Sequence, residues 1–377
     1  MLSLKFFSRR KFTLLTATLL SLSIAACGTG TVTEGDGEDD APPVSTETAP
    51  ESTGEKIAIS GAGATFPAPL FQRWFDTYNR EVNKDVQVSY QSVGSGAGLE
   101  QYINGTVDFG ASEAPITESE DRMKSFGEKY PYEPLQLPIV GGYVIFAYNL
   151  PGVDAEIKFS RKTYCGIVGG TITNWNDAAI AADNAGVELP DLPITWVHRS
   201  DGSGTTFVFT NHIDTVCEGW EAGAGTSVDW PVGIGGQGNE GVAAGIQQNE
   251  GAIGYISYAF AELNDIPVAR IENAAGNYPD TLPANASLAF EGAEIPENFE
   301  LLVPDPKHPD AYPISGLVWV MVYREYPDAA KWEALKETLK WTLGPDGKAI
   351  TEELYYVPMP DALIERIQEA LDSVKAG

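Results

Sequence analysis

Arg199-Ser200-Asp201-Gly202-Ser203-Gly204-Thr205-Thr206-Phe207 sets one cation and one carboxylate against a run of hydroxyls and glycines. Gly202 and Gly204 let the backbone approach a ligand closely, while Ser203, Thr205 and Thr206 add hydroxyl donors to the backbone N–H groups. The residues that follow, from Phe207 to His212, look like the start of a helix. Its open N–H groups and positive dipole end would point at whatever the loop holds. The stretch reads as an anion seat, with Arg199 offering a planar fork to an oxyanion. Asp201 is then a puzzle, because a carboxylate beside an anion is repulsive unless the anion carries a proton. Taken alone the segment is equally a helix cap. It is neither a phosphate-binding Gly-Lys-Ser/Thr loop nor a Gly-x-Ser-x-Gly elbow.

Working outward, the same grammar recurs. Lys56 to Ser60 is a short strand that runs into Gly61-Ala62-Gly63-Ala64-Thr65-Phe66-Pro67 and an amphipathic helix, expected from Pro69 to Val82, with Leu70, Phe71, Trp74, Phe75, Tyr78 and Val82 on one face. An alternating strand from Val86 to Gln91 leads into Gly94-Ser95-Gly96-Ala97-Gly98 and a short helix to Asn104. Val107 to Ala111 is a further strand, with Glu113 just past its end. Ile194 to Val197 feeds the opening stretch, and Gly233 to Gly241 is a fourth glycine turn, before a helix through Gln248. Strand, glycine turn and helix in repetition predict an α/β fold that receives ligands outside the strand ends. The apolar run from Leu135 to Tyr148, interrupted by Gly141-Gly142, is expected to cross from one lobe to another, its glycines serving a hinge or close packing. Ile253 to Ile256 and Leu317 to Tyr323 are expected strands, and Tyr258 to Leu263, Asp328 to Leu343 and Asp361 to Val374 expected helices, Gly344-Pro345 stopping the second.

A chain of 377 residues, 43% hydrophobic, can bury a large core. Its formal charge of −29 disfavours nucleic acid and anionic membrane surfaces as partners. An anion must be won locally, by fixed dipoles in a site where the outside field is screened over roughly 8 Å. With three histidines and no Cys/His spacing of the right kind, no metal site is expected. Residues 1–26 carry Lys5, Arg9, Arg10 and Lys11 before an apolar run and form a signal peptide. Ile24-Ala25-Ala26-Cys27 resembles the bacterial lipobox, which implies lipidation at Cys27, and Ser8 to Phe12 resembles a twin-arginine signal, so the export route stays open. Residues 27–55 are polar and acidic, a disordered tether spanning roughly 30 Å that would hold a folded body off a membrane. In an exported setting Cys165 and Cys217 form a disulfide or remain two buried thiols, since sequence does not show that they meet.

Gly61 to Pro69, Val107 to Ser112, Arg199 to Phe209 and Gly235-Gly236-Gln237-Gly238-Asn239-Glu240-Gly241, in this order, closely resemble the periplasmic phosphate-binding proteins of high-affinity phosphate ABC transporters. The resemblance implies a two-lobe α/β fold with mixed sheets, helices on their faces and a hinge, one lobe from 56–139 plus 312–377 and the other from 140–311. It implies binding of inorganic phosphate outside the cytoplasm by a monomer and delivery to an ABC permease, without catalysis or cofactor. Thr65 and Phe66 would supply a hydroxyl and a backbone N–H, and Ser95 a matching donor. Arg199 would pair with ligand and Asp201, while Ser203, Gly204 and Thr205 donate to the oxygens. Where the family pattern has Asp, this chain has Glu113, whose extra methylene moves the acceptor by about 1.5 Å. Near neutral pH phosphate keeps a proton that a carboxylate can accept, whereas sulfate has none. Glu113 is therefore the expected proton acceptor and Asp201 the partner that orients Arg199. The competing readings are a phosphate sensor, a receptor for sulfate or arsenate, and a phosphatase with Ser203 as nucleophile.

Overall fold

The computed structural model describes Gly54 and residues 56–377. The signal peptide, Cys27 and, apart from Gly54, the tether lie outside the described residues. From the start of the folded body, strand β1 (Ile57–Gly63) passes through a glycine turn into helix α1 (Ala68–Thr77), then β2 (Val86–Ser92) into α2 (Ser95–Ile103), then β3 (Phe109–Ser112), α3 (Glu120–Gly127) and the long strand β4 (Leu135–Tyr148). There follow β5 (Lys158–Phe159), α4 (Arg161–Val168), α5 (Ala178–Asp183), β6 (Thr195–Arg199), α6 (Gly204–Val216), β7 (Ile234–Gly236), α7 (Gly238–Gln248), β8 (Ala252–Ser257), α8 (Tyr258–Leu263), β9 (Val268–Ile271) and α9 (Pro283–Ser287). The chain then returns through β10 (Ser315–Val322), β11 (Glu325–Tyr326), α10 (Ala329–Thr342), α11 (Pro345–Glu353), α12 (Asp361–Asp372) and β12 (Lys375–Ala376).

The main sheet runs β2-β1-β3-β10-β4-β8-β6-β7, with β9 and β5 attached beside β4. β1 pairs in parallel with β2 and β3, and β6 in parallel with β7 and β8, whereas β4 is antiparallel to both β10 and β8. The sheet is thus mixed, and β4, apolar except for Gln136, is buried at every residue, as a central strand covered on both faces must be. Its first part, Leu135 to Tyr143, pairs with β10, and its last part, Val144 to Tyr148, with β8. Gly141 and Gly142 serve close packing: a Cβ on Gly142 would lie 2.4 Å from the Phe66 ring, and Gly141 exchanges backbone hydrogen bonds with Val357.

Several expected boundaries move for local reasons. The first amphipathic helix is α-helical only to Thr77 and continues as a π-helical turn from Tyr78 to Val82. That wider turn inserts a residue and rotates the face, so Tyr78 packs on Trp341 at 5.5 Å while Val82, expected in the core, is exposed. Helix α6 begins at Gly204 rather than Phe207, because the Ser203 hydroxyl caps it by accepting the Thr206 N–H at 3.0 Å. Pro345 ends α10 and also opens α11, since a proline without an N–H is well placed in a first turn. Cys165 in the middle of α4 and Cys217 after α6 are joined in a disulfide, their Cα atoms 5.5 Å apart.

Candidate functional site

Four helices start just past the carboxyl ends of parallel strands: α1 after β1, α2 after β2, α6 after β6 and α7 after β7. Their N-terminal turns and the end of β3 meet at one place. The approach needs glycine at several points. A Cβ on Gly94, whose φ is +89°, would lie 2.3 Å from the Asp201 carboxylate, and one on Gly204 would lie 2.4 Å from Glu113 Oε2 and 2.6 Å from its backbone nitrogen. Backbone meets backbone where Gly96 donates to the Gly202 carbonyl at 2.9 Å. The glycine turns that the sequence placed after strand ends thus converge.

Glu113 sits at the centre, 2% exposed. Ser95 Oγ donates to its Oε2 at 3.0 Å and Thr205 Oγ1 to its Oε1 at 2.8 Å, so the longer side chain reaches both donors. The Gly204 N–H, first in α6, donates to Ser95 Oγ at 3.0 Å. Arg199, on β6 and itself buried, extends Nη1 to Thr205 Oγ1 at 3.4 Å and grips Asp201 with two nitrogens, Nε to Oδ1 at 2.8 Å and Nη2 to Oδ2. The Gly238 N–H, at the start of α7, also donates to Asp201 Oδ1, at 3.0 Å. The Phe66 carbonyl accepts from Tyr356 OH at 2.6 Å, which anchors the turn carrying Thr65.

The two carboxylates are pushed apart electrostatically. Burial raises Glu113 above the ordinary carboxylate range, and the hydroxyls of Thr205 and Ser95 with the Arg199 charge only partly offset it. Burial also pushes Asp201 up, but its hydrogen bonds and charge contact with Arg199 outweigh that and hold it below its usual value. Burial thus biases Glu113 toward its neutral form, whereas Asp201 is favoured in its ionised form as the guanidinium's partner.

Thr65, Phe66, Ser95, Glu113, Arg199, Asp201, Ser203, Gly204 and Thr205 fall together here. Ser203, as the cap of α6, lies among the same turns, and none of the three histidines bonds to it. His198 Nδ1 faces the Arg199 carbonyl, His212 lies between Tyr164 and Pro304, and His308 Nδ1 takes the Asp310 N–H. Two members were not singled out from sequence. Asn239 stands beside Thr65 and Thr205, and Tyr255 OH accepts the Arg199 N–H at 3.1 Å and shares a 2.7 Å hydrogen bond with Thr206. Asn239 had a visible signal, its place in the Gly235 to Gly241 turn; Tyr255, inside an apolar strand, had none. A cavity of about 210 Å³ lined in part by Thr65, Val93, Asp201 and Glu240 adjoins the cluster. A larger one, about 1010 Å³, opens beside the disulfide, away from every strand end that carries these groups. Among the described residues no His/Cys/Asp/Glu group is arranged to hold a metal, and no helix is long and apolar enough to cross a membrane.

Residues 41–344 match the model of the PBP superfamily domain. The phosphate-binding protein PstS of Xylella fastidiosa strain 9a5c is 35% identical over 338 residues, 88% of this chain and 88% of that protein. Its namesake in Pasteurella multocida is 36% identical over 323 residues, 84% of this chain and 90% of the relative. The chain belongs to the PBP superfamily and, within it, to the PstS phosphate-binding proteins. Among solved structures, a high affinity periplasmic phosphate-binding protein (PfluDING) bound with phosphate aligns with a TM-score of 0.69 at 23% identity, covering 83% of this chain and 93% of that one. The phosphate-binding protein of Stenotrophomonas maltophilia aligns at 0.65 and 19%, covering 83% and 94%. At these identities the two structures speak for the fold.

Proposed function

We propose that this protein captures inorganic phosphate outside the cytoplasmic membrane and delivers it to an ABC-type permease, binding its ligand without turning it over. The observation that carries the reading is Glu113: a buried carboxylate held beside Arg199, the N-terminus of α6 and the hydroxyls of Ser95 and Thr205. An anion seat with an acceptor at its centre favours an oxyanion that still has a proton to give. The names of the curated relatives support the same ligand.

Thr65, Phe66, Ser95, Glu113, Arg199, Ser203, Gly204 and Thr205 would contact phosphate, with Asp201 orienting Arg199. We assign residues 56–139 and 312–377 to one lobe and 140–311 to the other; β4 changes partner from β10 to β8 between Tyr143 and Val144, four residues past that boundary. Thr65, Ser95 and Glu113 then lie on one side of the cleft and Arg199, Thr205 and Asn239 on the other, so each hydrogen bond between the two sets holds the lobes closed. Cys27 would carry the lipid anchor in the periplasm or at the cell surface, with the acidic tether as spacer.

Calorimetry of the purified chain with phosphate and with sulfate tests the reading. Phosphate should bind about 10³-fold or more tightly than sulfate, because sulfate turns lone pairs toward a carboxylate. Equal affinities would remove the proton-acceptor role of Glu113.

A further inference from the structure

Asn239 is wholly buried at the second position of α7, and every polar group of its side chain is used. Oδ1 accepts the Ser257 N–H at 2.9 Å. A backbone N–H can only donate, so this bond decides the orientation of the amide and turns Nδ2 toward the two threonines. Nδ2 donates to Thr65 Oγ1 at 2.8 Å and to Thr205 Oγ1 at 3.1 Å, one hydrogen for each. The backbone N–H of Asn239 adds a second bond to Thr65 Oγ1, at 3.1 Å.

A hydroxyl has two lone pairs and one proton. Both lone pairs of Thr65 are therefore taken by Asn239, and the only thing Thr65 has left to offer is its proton. Thr205 Oγ1 is filled in the same way, by Asn239 Nδ2 and by Arg199 Nη1, and its proton is directed at Glu113 Oε1. We propose that Asn239 is a positioning and specificity residue that sets the polarity of the phosphate seat: it commits the Thr65 and Thr205 hydroxyls to donate. Neither hydroxyl can then take a proton from the ligand, and any proton on the ligand is directed to Glu113. With its own groups spent, Asn239 acts through the threonines and does not touch the ligand. This rests on the phosphate reading above and deepens it, since a seat with freely rotating hydroxyls could accept a protonated oxygen at any position.

The test is a double-mutant cycle read by phosphate calorimetry on the full chain, with wild type, Asn239→Ala, Thr65→Val and the double variant. Each single substitution should weaken phosphate binding about tenfold or more. The double variant should be within about threefold of the weaker single, because both changes remove one arrangement. Losses that multiply, or Asn239→Ala within about twofold of wild type, overturn the proposal. Asn239→Asp decides the matter if the alanine variant is too unstable to titrate. It keeps the shape and the acceptor for Ser257 but faces the threonines with an acceptor, so it should weaken phosphate about 100-fold or more, titrated at a temperature where circular dichroism shows the variant folded. Undiminished affinity there also overturns the role of Asn239. If wild type itself takes up no phosphate, the ligand reading fails and this inference with it; if wild type binds and the variants bind alike, only the inference fails.

Discussion

Thr205 Oγ1 donates to Glu113 Oε1 at 2.8 Å, joining the first turn of α6 to the end of β3 across 92 residues of sequence. The bond shows how a carboxylate can be tolerated in an anion seat. Its lone pairs face hydroxyls that can donate to it or to a ligand, and its place between them is where a ligand proton would be received.

Replacing Glu113 with Gln should weaken phosphate by roughly 30-fold, the loss of one charge-assisted hydrogen bond, and bring sulfate closer to phosphate in affinity. The same change should raise the unfolding temperature at pH 7 without ligand. The folded-state pKa of Glu113 is raised, so the stability it contributes is present below the unfolded value and lost as pH rises through the folded one. Paired calorimetry and thermal melts check both effects; an unchanged phosphate-to-sulfate ratio would take Glu113 out of the seat.

Gly204→Ala should impair binding without removing a single polar group. The added methyl would sit 2.6 Å from the Glu113 backbone nitrogen and the same distance from Ser95 Oγ, so the turns must separate. Overpacking of this kind costs about 1–3 kcal/mol, which corresponds to a loss of roughly fivefold to 150-fold in phosphate affinity. Titration by intrinsic tryptophan emission would detect it, and wild-type affinity would mean that the turns do not need this approach.

His212 should make stability fall as the medium turns acidic. Burial lowers its pKa to about 4, with the Pro304 carbonyl only partly compensating, so the folded protein holds the ring neutral where the unfolded chain already protonates it. Stability then declines from about pH 6.5 down to about pH 4, by about 3 kcal/mol. Urea unfolding of wild type and His212→Gln across this range checks it: the variant should show a distinctly flatter slope, and parallel curves would rule His212 out.

Reduction of the disulfide between Cys165 and Cys217 should lower unfolding free energy by about 4 kcal/mol, since the bond closes a loop with a sequence separation of 52. Denaturant melts with and without reductant, compared with the Cys165→Ser variant, measure the loss. Two titratable thiols in the untreated protein would contradict the bond.

What the chain discloses unaided is whatever a short window contains. Apolar alternation and glycine turns mark β1, β2, β6 and the helices behind them, because strand and helix periodicity is local. The apolar run from Leu135 to Tyr148 reads as a buried crossing, though that it is one continuous strand appears only in the structure, and the order of the chain's glycine motifs points to the family. The acidic charge and glycine-rich loops also announce that an anion would be held by dipoles and not by a basic surface. Folding alone decides which groups meet and in which role. No window contains both Thr65 and Asn239, separated by 174 residues, or shows that the Asn239 amide consumes both lone pairs of the Thr65 hydroxyl. That Ser203 caps a helix, that Val82 turns outward after a wide turn, and that Glu113 spans the extra methylene to reach Ser95 and Thr205 are likewise results of packing. A hydroxyl's direction and a carboxylate's proton affinity depend on neighbours brought from distant parts of the chain, and only the tertiary structure supplies those neighbours.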